Sequence, residues 1–197
     1  MSNTLHAFSD HWCNRYLLMR HGHSQANQQG VIVSSPERGV KAFGLSELGE
    51  QQLAQLVSDW PWPVPSRVVH SDFLRTSQTA ARVAARFEVV PSVDIRLRER
   101  HFGELEGLGD DRYPGVWAMD ADDAEHTHHQ VEALSSVARR MRAVIEEWEQ
   151  KVSGETIVLV SHGDPLQILL TALANKPLSQ HREQQALLPA SITQVGV

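Results

Sequence analysis

Two short apolar runs in the sequence end abruptly in residues that can carry out chemistry. Leu17-Leu18-Met19 leads into Arg20-His21-Gly22, and Thr156 to Val160 leads into Ser161-His162-Gly163. Apolar runs bounded in this way predict buried strands. Arginine presents a planar fork of donors that fits an oxyanion, and histidine is a nucleophile or proton carrier near neutral pH. The two predicted strand ends are therefore candidates for a site that handles an oxyanion.

A third candidate is Arg75, which lies in the first turn of a predicted helix that follows the strand Arg67 to His70. The helix dipole disfavours a cation at this position, and a bound anion would relieve the repulsion. Alternating strands and helices predict a mostly parallel sheet covered on both faces, a three-layer α/β/α sandwich. Such a sheet brings Arg20, His21, Arg75 and His162 to one edge. A phosphoryl group would offset the mutual repulsion of these side chains.

The other elements are predicted from capping and periodicity. Ser46 is expected to cap a helix that ends before Pro61, and Asp164 is expected to cap the last helix, with Pro165 as its first residue. Further segments are assigned by their spacing alone. They are a Gly-, Ser- and Pro-rich loop (28–44), an extended stretch (89–97), an irregular acidic stretch (110–130), an amphipathic helix (131–148) and a closing strand (191–197).

Length and composition exclude several classes of protein. The chain has 197 residues, which fits one domain, and a net charge of −6, which is not the basic footprint of a nucleic-acid-binding protein. No apolar run is long enough to cross a membrane. Residues 1–15 form a polar lead-in without the apolar core of a signal peptide. The one cysteine, Cys13, excludes an internal disulfide and fits a reducing compartment, so we expect a cytoplasmic protein.

Four motifs, taken together and in this order, resemble those of the histidine phosphatase superfamily, which includes the cofactor-dependent phosphoglycerate mutases. The resemblance covers Tyr16 to about Val195, and it implies the phosphoglycerate mutase-like form of the predicted fold. The motifs are Arg20-His21-Gly22-x-Ser24-x-x-Asn27, Ser71-Asp72-x-x-Arg75-x-x-Gln78-Thr79-Ala80, Leu97-x-Glu99-x-x-Phe102-Gly103-x-x-Glu106-Gly107 and Ser161-His162-Gly163.

The resemblance implies a role for each matching residue. His21 is similar to the nucleophile that accepts the phosphoryl group, and Glu99 matches the family's proton donor. Arg20, Arg75 and His162 resemble the clamp on the phosphoryl oxygens. Residues expected to contact the substrate are Ser24, Asn27 and Gly163. Because the arginines and histidines supply the positive charge, the reaction needs neither a metal nor another cofactor. We expect a small phosphate ester as the substrate, and the sequence leaves the oligomeric state open.

Three alternatives to a small-molecule phosphatase remain open at this stage. A phosphoglycerate mutase would need a long basic insert, whereas residues 107–130 are short and acidic, with Arg112 as the single Lys or Arg. A non-catalytic phosphate binder would not need a proton donor at Glu99. A phosphoprotein phosphatase would need an open mouth, which depends on how far the acidic insert (108–130) covers the site. The sequence favours transfer of the phosphoryl group to water.

Several residues outside the motifs have both a structural and a functional interpretation. Arg38 and Lys41 are expected to be solvated, with a second substrate anion as the alternative. The cluster His126, His128 and His129 is expected to lie in a solvated loop, with metal binding as the alternative. Trp117 is expected to be structural, with packing against the substrate as the alternative.

Overall fold

The computed structural model describes residues 12–197, and a five-stranded sheet forms its middle layer. The strands lie in the order β3-β2-β4-β1-β5. Strands β1 to β4 run parallel to one another, and β5 pairs antiparallel with β1. The predicted mostly parallel sheet is therefore confirmed. The strands are β1 (Arg15–Arg20), β2 (Arg67–His70), β3 (Ser92–Val93), β4 (Thr156–Ser161) and β5 (Ile192–Gly196).

Helices cover both faces of the sheet, as the alternation of elements predicts. In β1, Leu17 and Met19 pack in the core shared with α3 and α4, whereas Tyr16 and Leu18 pack in the core shared with α6 and α7. This division follows the two-residue repeat of a strand. The helices are α1 (Gln25–Gln29), α2 (Pro36–Gly39), α3 (Glu47–Ser58), α4 (Leu74–Phe87), α5 (Tyr113–Asp122), α6 (Leu134–Lys151) and α7 (Gly163–Leu173).

The central strand β4 explains why the edge of the sheet that leads into Arg20 and His21 is well fixed. All six of its residues are buried, and it pairs with both β1 and β2. Its β-branched residues suit a strand that is covered on both faces. Because β1, β2 and β4 are parallel and in contact, the segments that follow Arg20, His70 and Ser161 begin side by side.

Three sequence-based element assignments are wrong. The loop 28–44 contains α2, and α1 ends within it at Gln29. The stretch 89–97 pairs with β2 only at Ser92–Val93, and Ile95–Leu97 is a 3-10 turn. The stretch 110–130 contains α5, which has no side-chain cap and is supported by the contact of Val116 with a third apolar cluster. Tertiary contacts therefore stabilise a helix that the local sequence pattern does not predict.

The cap of the last helix also differs from its prediction, whereas the cap of α3 is confirmed. Ser46 Oγ accepts a hydrogen bond from the backbone N–H of Gly49. The N-cap of α7 is His162, so that Gly163, Asp164 and Pro165 all lie in the first turn. The buried Asp164 side chain is held by other side chains instead of the helix backbone.

Most of the polar lead-in lies outside the described residues, and β1 begins at Arg15, within the stretch assigned to that lead-in. Within residues 12–197, no helix combines the length and the apolar character that crossing a membrane requires.

Candidate active site

His21 follows β1 directly, and its ring is buried with a defined tautomer. Nδ1 donates to the carbonyl oxygen of Gly22 at 2.7 Å, so Nε2 carries the lone pair. Nε2 accepts a hydrogen bond from Nε of Arg75 at 3.1 Å, which agrees with that assignment. Burial and the nearby guanidinium groups of Arg75 and Arg20 hold the pKa of His21 well below its ordinary value. The imidazole is therefore neutral and has the form that a nucleophile requires.

Arg75 joins the two histidines that the sequence places at separate strand ends. Its Nε lies 3.1 Å from His21 Nε2 and 3.2 Å from His162 Nδ1, and its Nη2 donates to the carbonyl oxygen of Val33. His162 is completely buried, and its Nε2 lies 3.0 Å from Ser71 Oγ. Burial and the charge of Arg75 also hold the pKa of His162 well below its ordinary value. The predicted convergence of these side chains is thus present.

Arg20 lies beside the start of α7. A Cβ atom added to Gly163 would come within 3.3 Å of the Arg20 guanidinium, so the absence of a side chain allows this close approach. Nη1 of Arg20 donates to the carbonyl oxygen of Leu187 at 2.5 Å. Among the described residues, Nε of Arg20 and Nη1 of Arg75 are buried donors without a hydrogen-bond partner. Both groups would be satisfied by an anion.

Glu99 is the carboxyl group that lies nearest to this cluster. Its Oε2 lies 3.7 Å from Nη2 of Arg75 and 3.7 Å from Nδ1 of His162, and about a tenth of its side chain is exposed. Burial raises the pKa of Glu99 to about 7, although the charge of Arg75 opposes that shift. A carboxyl group with this pKa can both donate and accept a proton near neutral pH.

Ser24 and Asn27 form the capping box of α1. Ser24 Oγ accepts from the Asn27 backbone N–H and donates to Asn27 Oδ1, and Oδ1 also accepts from the Ser24 backbone N–H. The hydroxyl group of Ser24 is therefore engaged in turning the chain. The Asn27 amide nitrogen has no such role, and both residues line the same cavity as His21.

The other motif residues hold the loops of the site in place. Asp72 makes two hydrogen bonds to Arg98, the residue before Glu99, at 2.8 and 2.5 Å. Thr79 Oγ1 accepts from the backbone N–H of Gly22 at 3.1 Å, which ties α4 to the loop that follows His21. Glu106 accepts three hydrogen bonds, from the backbone of Ser34 and Ser35 and from the Ser34 hydroxyl.

A cavity of about 230 Å³ lies over these groups. Its walls include three aromatic residues and one further arginine that sequence reasoning either missed or left open: Phe102, Tyr113, Trp117 and Arg182. Tyr113 and Trp117 belong to α5, the helix within the acidic insert. Arg182 lies in an irregular segment that carries no periodic signal, so no sequence pattern indicated it. Arg38 and Lys41 are not among the lining residues.

The Trp117 side chain is held by contacts with other residues of the protein. Its ring is stacked on Tyr113 with centroids 5.4 Å apart, and the Arg182 guanidinium lies 3.7 Å from its centroid. Its Nε1 donates to Oδ1 of Asp164 at 3.1 Å. These contacts favour the structural interpretation of Trp117.

A buried charge network anchors α5 above the site. Asp120 accepts two hydrogen bonds from Arg100, at 2.7 and 2.8 Å, and a third contact comes from His126 at 2.8 Å. Arg100 also reaches Asp164 at 3.3 Å. Burial raises the pKa of Asp164, but His181 and Arg100 outweigh burial and bring it to about 2. Asp164 is therefore an ionised part of the network, and the positive charges of its partners compensate its charge near Arg20.

The network corrects the expectation for His126, which is buried and not solvated. Among residues 12–197, no group of three or more His, Cys, Asp or Glu side chains is arranged to hold a metal ion. His129 faces Glu104 at the surface instead, at 3.6 Å.

Replacing Asp120 by asparagine is expected to lower the free energy of unfolding by about 3 kcal/mol or more, because it leaves the fully buried Arg100 without its principal counter-charge. Urea-induced unfolding measures this change. The matched control is Glu50→Gln, which removes the exposed ion pair with Arg82 and should cost at most about 1 kcal/mol. Equal costs for the two variants would contradict the anchoring role of Asp120.

Comparisons with known proteins agree with the fold and the site. The model of the histidine phosphatase superfamily (branch 1) matches residues 16–197. A glucosyl-3-phosphoglycerate phosphatase of Mycobacterium tuberculosis (strain ATCC 25618 / H37Rv) is 31% identical over 194 residues, which cover 92% of this chain and 85% of the relative. A probable phosphoglycerate mutase of Erwinia tasmaniensis is 28% identical over 170 residues, 84% of this chain and 77% of the relative.

Solved structures that resemble this chain include phosphatases of the same group as its relatives in sequence. The native structure of a mycobacterial glucosyl-3-phosphoglycerate phosphatase matches with a TM-score of 0.77 at 30% identity, over 91% of this chain and 88% of that chain. Its complex with inorganic phosphate matches with a TM-score of 0.75 at 28% identity, over 92% of this chain and 89% of that chain. The chain belongs to the histidine phosphatase superfamily. The comparisons confirm the predicted family. They also confirm the predicted class of enzyme, which is a phosphatase of the histidine phosphatase type.

Proposed function

We propose that the chain hydrolyses a small phosphate monoester through a phosphohistidine on His21, without a metal ion or another cofactor. The observation that carries the proposal is the convergence of His21 Nε2 and His162 Nδ1 on one guanidinium nitrogen of Arg75, at 3.1 and 3.2 Å. A phosphoryl group that enters there replaces Arg75 as the partner of Nε2. The negative charge of the phosphoryl group favours a proton on His162 Nδ1. Arg20, Arg75 and this protonated His162 then donate to the phosphoryl oxygens, which supplies the positioning and charge stabilisation that phosphoryl transfer needs.

In the first step, His21 Nε2 forms a bond to phosphorus and the bond from phosphorus to the ester oxygen breaks. Glu99 gives its proton to the departing oxygen, because an alkoxide is a poor leaving group. In the second step, the oxygen of a water molecule attacks phosphorus, its proton passes to Glu99, and the P–N bond breaks. The raised pKa of Glu99, about 7, suits a group that performs both transfers.

We propose a different role at the substrate site for each of Asn27, Ser24 and Gly163. The Asn27 side chain contacts the phosphoryl group through its amide nitrogen, because its Oδ1 is held within the capping box. Ser24 acts by fixing that box. Gly163 acts by leaving room for the guanidinium of Arg20 and by presenting its backbone N–H at the start of α7.

The substrate is proposed to be a small phosphorylated metabolite. The cavity, about 230 Å³, is smaller than the roughly 300–1,000 Å³ typical of pockets for drug-sized ligands. Glucosyl-3-phosphoglycerate is the first compound to assay, since relatives that are about 30% identical are named for its dephosphorylation. We further propose that residues 16–197 act as one catalytic domain, with the insert 108–130 as its cap. The single cysteine favours the cytoplasm as the location.

Hydrolysis of p-nitrophenyl phosphate with EDTA present tests the proposal. We expect turnover to continue in EDTA, and an acid-labile, base-stable phosphate to be trapped on the protein by rapid quenching. Inactivity toward a panel of phosphate esters, combined with retained phosphate binding, would establish the non-catalytic alternative instead. Loss of activity in EDTA would contradict the metal-independent mechanism.

The acidic character of the cap predicts that the phosphoryl group is transferred to water and not to a second phosphoglycerate. Within residues 12–197, no lysine lines the cavity, and the insert contributes acidic Asp110 to the wall. Incubation with 3-phosphoglycerate should release inorganic phosphate and form little 2-phosphoglycerate, which phosphorus NMR distinguishes. Isomer formation at a rate comparable with phosphate release would contradict this expectation and support the mutase alternative.

A further inference from the structure

Three guanidinium groups line the cavity, and the proposed reaction uses two of them. Arg20 and Arg75 hold the phosphoryl group, whereas Arg182 lies elsewhere in the wall. The other cations considered for a second anion, Arg38 and Lys41, do not line the cavity. Arg38 instead lies 5.3 Å from the ring centroid of Phe43 and 4.0 Å from Glu106. Arg182 is therefore the third cation that the wall presents to a ligand.

The Arg182 guanidinium is held in a defined position. Its Cζ lies 3.7 Å from the centroid of the Trp117 ring, its Nη1 donates to Gln167 Oε1, and Nη1 lies 3.5 Å from Asp164. Stacking and an ion pair restrict a side chain that would otherwise be mobile, so less entropy is lost when it binds an anion. The segment that carries it is tied to the phosphoryl clamp, because Arg20 donates to the carbonyl oxygen of Leu187.

Part of the Arg182 guanidinium remains available to a ligand. Within residues 12–197, its hydrogen bonds are made by Nη1, and the donors on Nε and Nη2 have no protein partner. About a quarter of the side chain is exposed. Two N–H groups on one edge of a guanidinium match the two oxygens of a carboxylate.

Asp164 compensates the charge of Arg182 only in part, because Asp164 also pairs with other groups. Asp164 also faces Arg100 at 3.3 Å and His181 at 3.6 Å, and it accepts from Trp117 Nε1 at 3.1 Å. Within this network the charges of Arg100 and Arg182 balance those of Asp120 and Asp164. The single charge of Arg182 matches that of a carboxylate, whereas a second phosphate dianion would bring two negative charges beside one cation.

We propose that Arg182, held by Trp117 and Asp164, determines specificity by binding a carboxylate on the same substrate whose phosphate is held by Arg20 and Arg75. The proposal rests on the proposed function, since it assumes that the phosphate is bound beside His21. It makes the substrate class a small phosphorylated carboxylic acid. A site built to pair with a charged group rejects an analogue that lacks it.

Calorimetric binding of two matched ligands tests the proposal without requiring turnover. 3-Phosphoglycerate and glycerol 3-phosphate differ by a carboxylate in place of a hydroxymethyl group. In the His21→Ala background we expect 3-phosphoglycerate to bind at least 10-fold more tightly. Adding Arg182→Gln should weaken its binding about 10- to 100-fold and leave glycerol 3-phosphate almost unchanged. Arg182→Lys should keep part of the preference, since it retains the charge and loses the planar fork.

Arg112→Gln is the matched control, because it removes an exposed cation of the same cap that does not line the cavity. It should leave the preference intact. Equal binding of the two ligands by the Arg182-containing protein would overturn the proposal, as would equal weakening of both by Arg182→Gln. In the protein with His21 intact, Arg182→Gln should lower kcat/KM for 3-phosphoglycerate more than kcat/KM for glycerol 3-phosphate. If the parent enzyme hydrolyses none of a panel of phosphate esters, the proposed function fails, while the calorimetric ratio still decides the role of Arg182.

Discussion

The His21→Ala variant is expected to lose phosphate-ester hydrolysis almost completely, with kcat reduced on the order of 10⁴- to 10⁶-fold. In the proposed mechanism the His21 imidazole supplies the atom that bonds to phosphorus, and no other residue is proposed to replace it. His162 is oriented differently, since its Nδ1 faces Arg75 and its Nε2 faces Ser71. The loss should be equally severe for p-nitrophenyl phosphate and for alkyl phosphates, because both reactions need the same nucleophile.

Steady-state kinetics and quench trapping measure this effect together. The variant should form no acid-labile phosphoprotein, yet it should still bind inorganic phosphate through Arg20 and Arg75. His23→Ala is the matched control, since it makes the same change two residues away, where the ring faces Ser46 at 2.7 Å. Activity of the His21→Ala variant above a hundredth of the parent enzyme would exclude a phosphohistidine on His21.

The Glu99→Gln variant is expected to be impaired according to the leaving group. Hydrolysis of an alkyl phosphate should fall about 10²- to 10⁴-fold, because glutamine cannot protonate the departing oxygen. Hydrolysis of p-nitrophenyl phosphate should fall much less at the first step, because p-nitrophenolate leaves without protonation. Glu104→Gln is the matched control in the same loop, since the Glu104 side chain is more than half exposed. An equal loss on both substrates would contradict the role of Glu99 as an acid.

The pH profile provides an independent check of Glu99. Burial raises its pKa to about 7, so the carboxyl group carries its proton below that pH and is ionised above it. For an alkyl phosphate, kcat/KM should therefore decline as the pH rises through about 7, and Glu99→Gln should remove that decline. His21 should contribute no loss of activity near pH 6.5, since its depressed pKa keeps the ring neutral there. A decline at the same pH in the Glu99→Gln variant would assign it to another group.

The sequence alone was sufficient for strands β1, β2 and β4 of the central sheet and for the residues at their carboxyl ends. Continuous apolar strands are recognisable because burial on both faces removes the polar alternation, and β4 has this form throughout. Parallel strands share one edge, so the convergence of His21, Arg75 and His162 follows from the order of the elements. The roles of Glu99, Ser24, Asn27 and Gly163 rest on the family motifs and remain predictions, of which the Glu99→Gln variant tests the first.

The cap and the second half of the cavity were decided by tertiary structure. Helix α5 has no capping side chain, and it is stabilised by the contact of Val116 with the third apolar cluster and by the buried pair of Asp120 with Arg100. Neither contact has a local signal, because the partners are far apart in the chain. The same holds for Arg182, whose position depends on Trp117, 65 residues earlier. Local patterns therefore specify the strands and the cluster of Arg20, His21, Arg75 and His162, whereas long-range packing and charge pairing build the wall that we propose selects the substrate.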